Sequence, residues 1–194
     1  MYKIAIDLDN TIFNVEPIYK NGFKNLIYYP PQTWDLFKCY PKKIALEIIE
    51  SFKNGDLFKC KPFYDDYPEL IRDLRYKYKL YYVTTRQSAQ EPVIFNGKQI
   101  PGVIYNTYKQ LTYNCIKSDI SDIIVSKSQD KIDSFKRLNV NCVIDDSPVV
   151  IEKCLENKID CVMISDDNMH YNHYLRNKVL WGKNLHEARK VKGL

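Results

Sequence analysis

The chain has no run of about 18 consecutive apolar residues, so no segment reads as a membrane-spanning helix. Its opening, "MYKIAIDLDN", reaches an acidic residue at position 7, too short an apolar stretch for a secretory leader. The six cysteines, Cys39, Cys60, Cys115, Cys142, Cys154 and Cys161, form no CxxC pair and no finger-like spacing. That argues against a structural zinc site and a disulfide framework, and leaves reduced, partly buried thiols. Internal repeats and low-complexity tracts are absent as well. Charge is not strongly one-sided: 29 Lys and Arg against 24 Asp and Glu give a net charge of +5. This favours anionic partners yet falls short of a dedicated nucleic-acid binder, and a phosphorylated small molecule fits equally well. The expectation is a soluble cytoplasmic protein with no membrane partner and no stable nucleic-acid partner. A length of 194 residues suits one domain, or a core domain with a modest insertion.

What is present is an alternation of strand-length apolar runs with helical periods, the pattern of a parallel sheet with crossover helices. The runs are "YKIAID" (2–7), "KLYYVT" (79–84), "DIIVS" (122–126), "NCVID" (141–145) and "DCVMIS" (160–165). They are rich in Val, Ile and Tyr, as strands buried on both faces should be. Helix signals lie between them. Residues 66–78 carry Pro68 near a start and Leu70, Ile71 and Leu74 on one stripe; 128–138 carry Ile132, Phe135 and Leu138. Residues 147–157 begin with Ser147 as N-cap and Pro148 at the first helical position.

Residues 13–64 break the alternation. They hold one convincing helix, Pro41 to Lys53, stopped by Gly55, and eight aromatics between 13 and 40: Phe13, Tyr19, Phe23, Tyr28, Tyr29, Trp34, Phe37 and Tyr40. The block arises at the carboxyl end of the first strand, where ligands bind in open parallel sheets, so it reads as a helical cap or lid. Most of its aromatics are expected in the lid's own core. Residues 87–121 show no firm period, and their conformation stays open. His170 and His173 have ordinary loop spacing, and the Lys-rich tail from Gly182 reads as a solvated helix end.

Asp7 and Asp9 stand two apart at the end of the first strand, so both can face one ligand. Carboxylates that close repel unless a positive charge lies between them, and a hard, oxygen-seeking cation such as Mg²⁺ resolves the conflict. The other strands end in kind, with hydroxyls at Thr84 and Thr85, an amine at Lys127, and carboxylates at Asp145 and Asp146. In a parallel sheet these ends share one edge.

These four strand ends, "DLDNT", "YVTTR", "VSK" and "VIDDSP", resemble the motifs of the haloacid-dehalogenase-like (HAD) phosphohydrolase superfamily, in the same order. The resemblance implies a Rossmann-like α/β core over 1–12 and 65–194 with a small helical cap over 13–64. It departs at Asn10, where many members have Gly. By the same resemblance the protein is a Mg²⁺-dependent phosphomonoesterase. Asp7 is the nucleophile that forms an aspartyl-phosphate; Asp9 is the acid and base and lends its carbonyl to the metal. Thr84 binds a phosphoryl oxygen, Lys127 neutralises charge, and Asp145 and Asp146 complete the metal shell. Lys131 lies one helical turn beyond Lys127 and competes for its role; the strand-end position favours Lys127. Thr85 competes with Thr84 in the same way, and Arg86 reaches either a second substrate group or solvent. "IDDSP" with the late "HYN" and "VLWGKNLHEA" is similar to the 5'(3')-deoxyribonucleotidase branch, which implies a nucleoside monophosphate as substrate and lid aromatics, Trp34 and Phe13 first, that stack on its base. The alternatives are another small phosphate ester, a polynucleotide end, or a catalytically silent nucleotide-binding relic.

Overall fold

The computed structural model describes residues 1–21, 35–86 and 91–194. Its centre is a six-stranded, wholly parallel sheet. The strands are β1 (Lys3–Ile6), β2 (Lys79–Thr84), β5 (Ile123–Val125), β6 (Cys142–Asp145), β7 (Asp160–Ile164) and β8 (Leu180–Gly182), in the order β5-β2-β1-β6-β7-β8. The five expected runs are all strands; β8 is an addition at the edge. β3 (Val93–Phe95) and β4 (Lys98–Ile100) form a separate antiparallel hairpin within the stretch that lacked periodicity. Its turn is Asn96–Gly97, both at positive φ (49° and 72°), the geometry of a tight two-residue hairpin connection.

Period-2 alternation sends neighbouring residues of each strand to opposite faces, and two cores result. Ile4, Ile6, Leu80, Tyr82, Ile144, Val162 and Ile164 face one side. There α4 (Tyr67–Lys77) contributes Ile71 and Leu74, α5 (Gly102–Tyr113) Leu111, and α8 (Leu185–Lys192) Leu185 and Ala188. On the other face Ala5, Val83, Val143, Cys161 and Met163 meet Ile132 and Phe135 of α6 (Lys131–Leu138) and Val150, Ile151 and Cys154 of α7 (Pro148–Glu156). The tail is thus more than a solvated end, since α8 seals the sheet. A Cβ on Gly182 would lie 2.5 Å from the Ala188 nitrogen, so glycine is what lets helix and strand meet there.

The segment after β1 carries α1 (Glu16–Asn21), α2 (Leu36–Cys39), α3 (Lys42–Lys53) and a 3-10 turn, Asp56–Lys59. Gly55, at φ 90°, ends α3 as expected. Tyr40, Ala45 and Ile48 form a small core of their own, with Tyr19, Leu36 and Phe52 packed on it. The two limbs of the segment run side by side, joined by Asn14 N–H to Lys61 O (2.9 Å) and Phe63 N–H to Ile12 O (3.0 Å). Phe23, Tyr28, Tyr29 and Trp34 lie outside the described residues.

Candidate active site

The ends of β1 and β6 bring Asp7, Asp145 and Asp146 together. Asp7 follows β1, and its N–H bonds to Ile144 O on β6, which draws it towards Asp145 and Asp146. The chain then turns sharply through Asn10, whose φ of 60° is the left-handed region that Asn tolerates better than most residues. The departure from Gly therefore leaves the turn intact, and the Asn10 N–H closes it onto Phe13 O (2.9 Å).

Asp7, Asp145 and Asp146 are buried, and one ligand oxygen from each lies within 4.8 Å of the others. The cation among them is Lys131, only 1% exposed, whose Nζ donates to Asp7 Oδ1 (2.6 Å) and Asp145 Oδ2 (2.7 Å). The preference for Lys127 is thereby corrected: Lys127 is exposed at the end of β5, while Lys131, the first residue of α6, turns inward. A lysine at a helix N-terminus opposes the dipole, and the two carboxylates offset that cost.

Three carboxylates against one ammonium leave an excess of buried negative charge. Burial, followed by Asp145 and Asp9, pushes the Asp7 carboxyl up to about 7 despite Lys131. Asp146 is raised well above the usual carboxylate range, by burial first and then by Asp7 and Asp145. Burial works against the Lys131 charge, but Asp145 and Asp7 outweigh it and raise the group overall. An all-oxygen set with this excess fits a hard divalent cation.

The partners of the acids are specific. Asp145 Oδ1 accepts from the Ser147 N–H (2.9 Å) at the start of α7. Tyr171 donates its hydroxyl to Asp146 Oδ2 (2.6 Å), and Asn172 Nδ2 bridges Asp146 O and Ile164 O (2.8 Å each). Tyr171 and Asn172 belong to the "HYN" stretch, so that motif braces the acids. Arg86 is buried, and its Nε and Nη2 hold Asp9 Oδ2 (2.8 Å) and Oδ1 (2.6 Å) as a bidentate fork. The solvent alternative for Arg86 is excluded by this burial.

A cavity of about 330 Å³ opens over these groups. Its lining includes Asp7, Asp9, Asp145, Asp146, Lys131 and Arg86 and, from the segment after β1, Val15, Tyr19, Leu36, Ile49, Phe52, Lys53 and Leu57. Thr85 lines it, whereas Thr84 is fully buried with a hydroxyl that makes no hydrogen bond among the described residues. Of the favoured stacking residues, Phe13 is corrected: it has no exposure and belongs to the core. His173 is held by Arg176 and the Asp166 carbonyl, which gives it a structural use.

No family model and no curated protein matches the chain. Solved structures do. A haloacid dehalogenase-like family hydrolase from Streptococcus pneumoniae aligns with 15% identity and TM-score 0.61, covering 100% of this chain and 97% of that one. A Bacillus subtilis protein described as a HAD-hydrolase bound to magnesium gives 16%, 0.59, and coverage of 100% and 99%. A HAD hydrolase of family IA, variant 3, from Entamoeba histolytica gives 15%, 0.55, and full coverage of both chains. Six parallel strands with flanking helices, matched from end to end, identify the architecture of this chain as the α/β fold of haloacid dehalogenase-like hydrolases.

Proposed function

We propose that this protein hydrolyses small phosphate monoesters, with Asp7 as nucleophile and residues 13–64 as a cap over the core formed by 1–12 and 65–194. The observation that carries the reading is the buried set of Asp7, Asp145 and Asp146 around Lys131, on the floor of a cavity at the carboxyl edge of the sheet. Mg²⁺ suits the three carboxylates and the Asp9 carbonyl, and when bound it would neutralise phosphoryl charge.

Asp7 attacks phosphorus while the ester oxygen leaves and takes a proton from Asp9. In the second step Asp9 removes a proton from water, the water oxygen bonds to phosphorus, and Asp7 departs with inorganic phosphate released. Lys131 stabilises the charge that accumulates on the phosphoryl oxygens and keeps the Asp7 carboxylate in place. Thr85, on the cavity wall, is the better placed of the two threonines to hydrogen-bond a phosphoryl oxygen. Both Asp9 oxygens accept from Arg86, so Asp9 must leave one of those bonds to give or take a proton.

The substrate class we favour is the (deoxy)nucleoside monophosphate. The inserted segment's share of the cavity lining is mostly apolar apart from Lys53, and Tyr19 and Phe52, in edge contact at 6.0 Å, offer rings on which a base can stack. Six free cysteines suit a reducing compartment such as the cytoplasm. Among the described residues no helix is long and apolar enough to cross a membrane. The test is turnover with Mg²⁺ across nucleoside monophosphates, comparing 5' with 3' esters and deoxyribose with ribose, beside sugar phosphates and an aryl phosphate. Preference for a sugar phosphate would leave the phosphatase reading standing and remove the nucleotide.

A further inference from the structure

Gln110 lies in α5, far in sequence from every motif residue, and its side chain is buried (4% exposed). Its amide nitrogen donates to the carbonyls of Leu57 (2.9 Å) and Cys60 (2.7 Å), and its amide oxygen accepts from Arg86 Nη1 (2.5 Å). Two carbonyls on one side and a guanidinium on the other allow the amide a single orientation. Leu57 and Cys60 lie on the limb by which the inserted segment returns to the core, next to the Lys61 and Phe63 contacts that pair it with the outgoing limb. Arg86 continues the connection to both oxygens of Asp9, and its guanidinium lies 5.4 Å from the ring centres of Phe13 on the outgoing limb and Phe58 on the returning one. A route of direct contacts thus runs from the insert's return limb to the Asp9 carboxylate.

We infer that Gln110 is a positioning residue, coupling the returning limb of the insert to Asp9 through Arg86, so that Asp9 is aimed for proton transfer while that limb is seated on the core. The inference rests on the phosphohydrolase reading. All three guanidinium nitrogens of Arg86 donate, two to Asp9 and one to Gln110. Removal of the Gln110 acceptor lets the guanidinium turn about its bonds to Asp9, and the carboxylate turns with it. Buried polar networks of this kind are fixed when every member is satisfied and loosen together when one is lost.

The test uses leaving-group dependence, because proton donation matters greatly for an alkoxide and little for a weakly basic phenolate. Gln110→Met keeps the side-chain length and removes all three hydrogen bonds. In its presence kcat/KM, which is set before the phosphoenzyme is hydrolysed, should fall about tenfold to a hundredfold for an alkyl phosphate ester, the scale of a misaligned catalytic group. For a nitrophenyl phosphate it should change by less than about threefold, since that leaving group departs without help from an acid. Gln110→Glu still accepts from Arg86 but sets an oxygen against the Leu57 and Cys60 carbonyls; it should show the same selectivity of loss and serves if the Met variant does not fold. In an Arg86→Lys background the Gln110 substitutions should add no further selective loss. Equal losses on both esters, no loss on either, or additive effects with Arg86→Lys would overturn the inference alone. Absence of Mg²⁺-dependent turnover of either ester by the unaltered protein would remove the phosphatase reading, and the inference with it.

Discussion

Lys131 reaches Asp7 at 2.6 Å from the first turn of a helix, across 124 residues of sequence, and the same amine holds Asp145. Lys127, four residues earlier, faces solvent. The two lysines therefore separate cleanly in experiment. Lys131→Met leaves two buried carboxylates without their cation, and should cost about 3–5 kcal/mol of stability near neutral pH. It should also lower turnover by about a hundredfold to a thousandfold, as loss of a preorganised charge does. Lys127→Ala should stay within about twofold in rate and about 0.5 kcal/mol in stability. Denaturant melts and steady-state rates on the same preparations check both, and the reverse pattern would restore Lys127.

The acid cluster makes metal-free stability depend on pH with a defined sign. The folded-state value of Asp7 is raised to about 7, so its favourable contribution is fully present below about pH 4 and is lost as pH rises through about 7; Asp146 is raised in the same direction, so its contribution too falls as pH rises. The difference in melting temperature between the wild-type protein and Asp146→Asn should therefore move against the wild type as pH rises. Mg²⁺ at about 100 times its Kd should return about 2.7 kcal/mol at neutral pH. The Asp146→Asn difference should be flat with pH if the cluster is not strained, and no Mg²⁺ response would discount the metal site.

Specificity should reside in the wall that the insert supplies. Tyr19→Ala or Phe52→Ala should remove about 1 to 3 kcal/mol of base-dependent binding for a nucleoside monophosphate, while an aryl phosphate is turned over almost as before. Equal losses on both substrates would point to packing, since both rings also touch the small core around Ile48.

Gly182→Ala tests how α8 is seated. The added methyl meets backbone atoms of Glu187 and Ala188 closer than 3.0 Å, so α8 must shift, with a cost of about 1–3 kcal/mol. An unchanged melt would show that the helix slides freely.

The legible parts of this molecule were those with periodicity or a strand-end position. Five strands of the parallel sheet read directly from apolar runs, because strands buried on both faces need such runs, and Asp7, Asp9, Asp145 and Asp146 stood out at their ends. The hairpin at 93–100 did not, since its strands are three residues each and half-exposed; only the Asn96–Gly97 turn carries a signal there. Lys131 is named by the sequence only as the rival of Lys127, because the chain makes a 3-10 turn, Ser128–Asp130, before α6, which shifts the inward position from the strand end to the helix start. Phe13 reads as a stacking candidate because it leaves the aspartate loop four residues after Asp9, yet its bridges to Asp9 and Pro62 fold it into the core. Gln110 has no sequence signal at all, as its role depends on contacts with chain segments 24 and 50 residues away.

The most direct measurement is covalent. The protein is mixed with Mg²⁺ and an excess of a phosphate ester that it turns over, quenched in acid within one turnover, and mapped by peptide mass spectrometry. One phosphoryl group is expected on the peptide containing Asp7, labile to hydroxylamine as an acyl phosphate is, and absent from an Asp7→Asn variant that keeps the native melt. A phosphoryl group on another residue, or full turnover by the Asp7→Asn protein, would contradict Asp7 as the nucleophile.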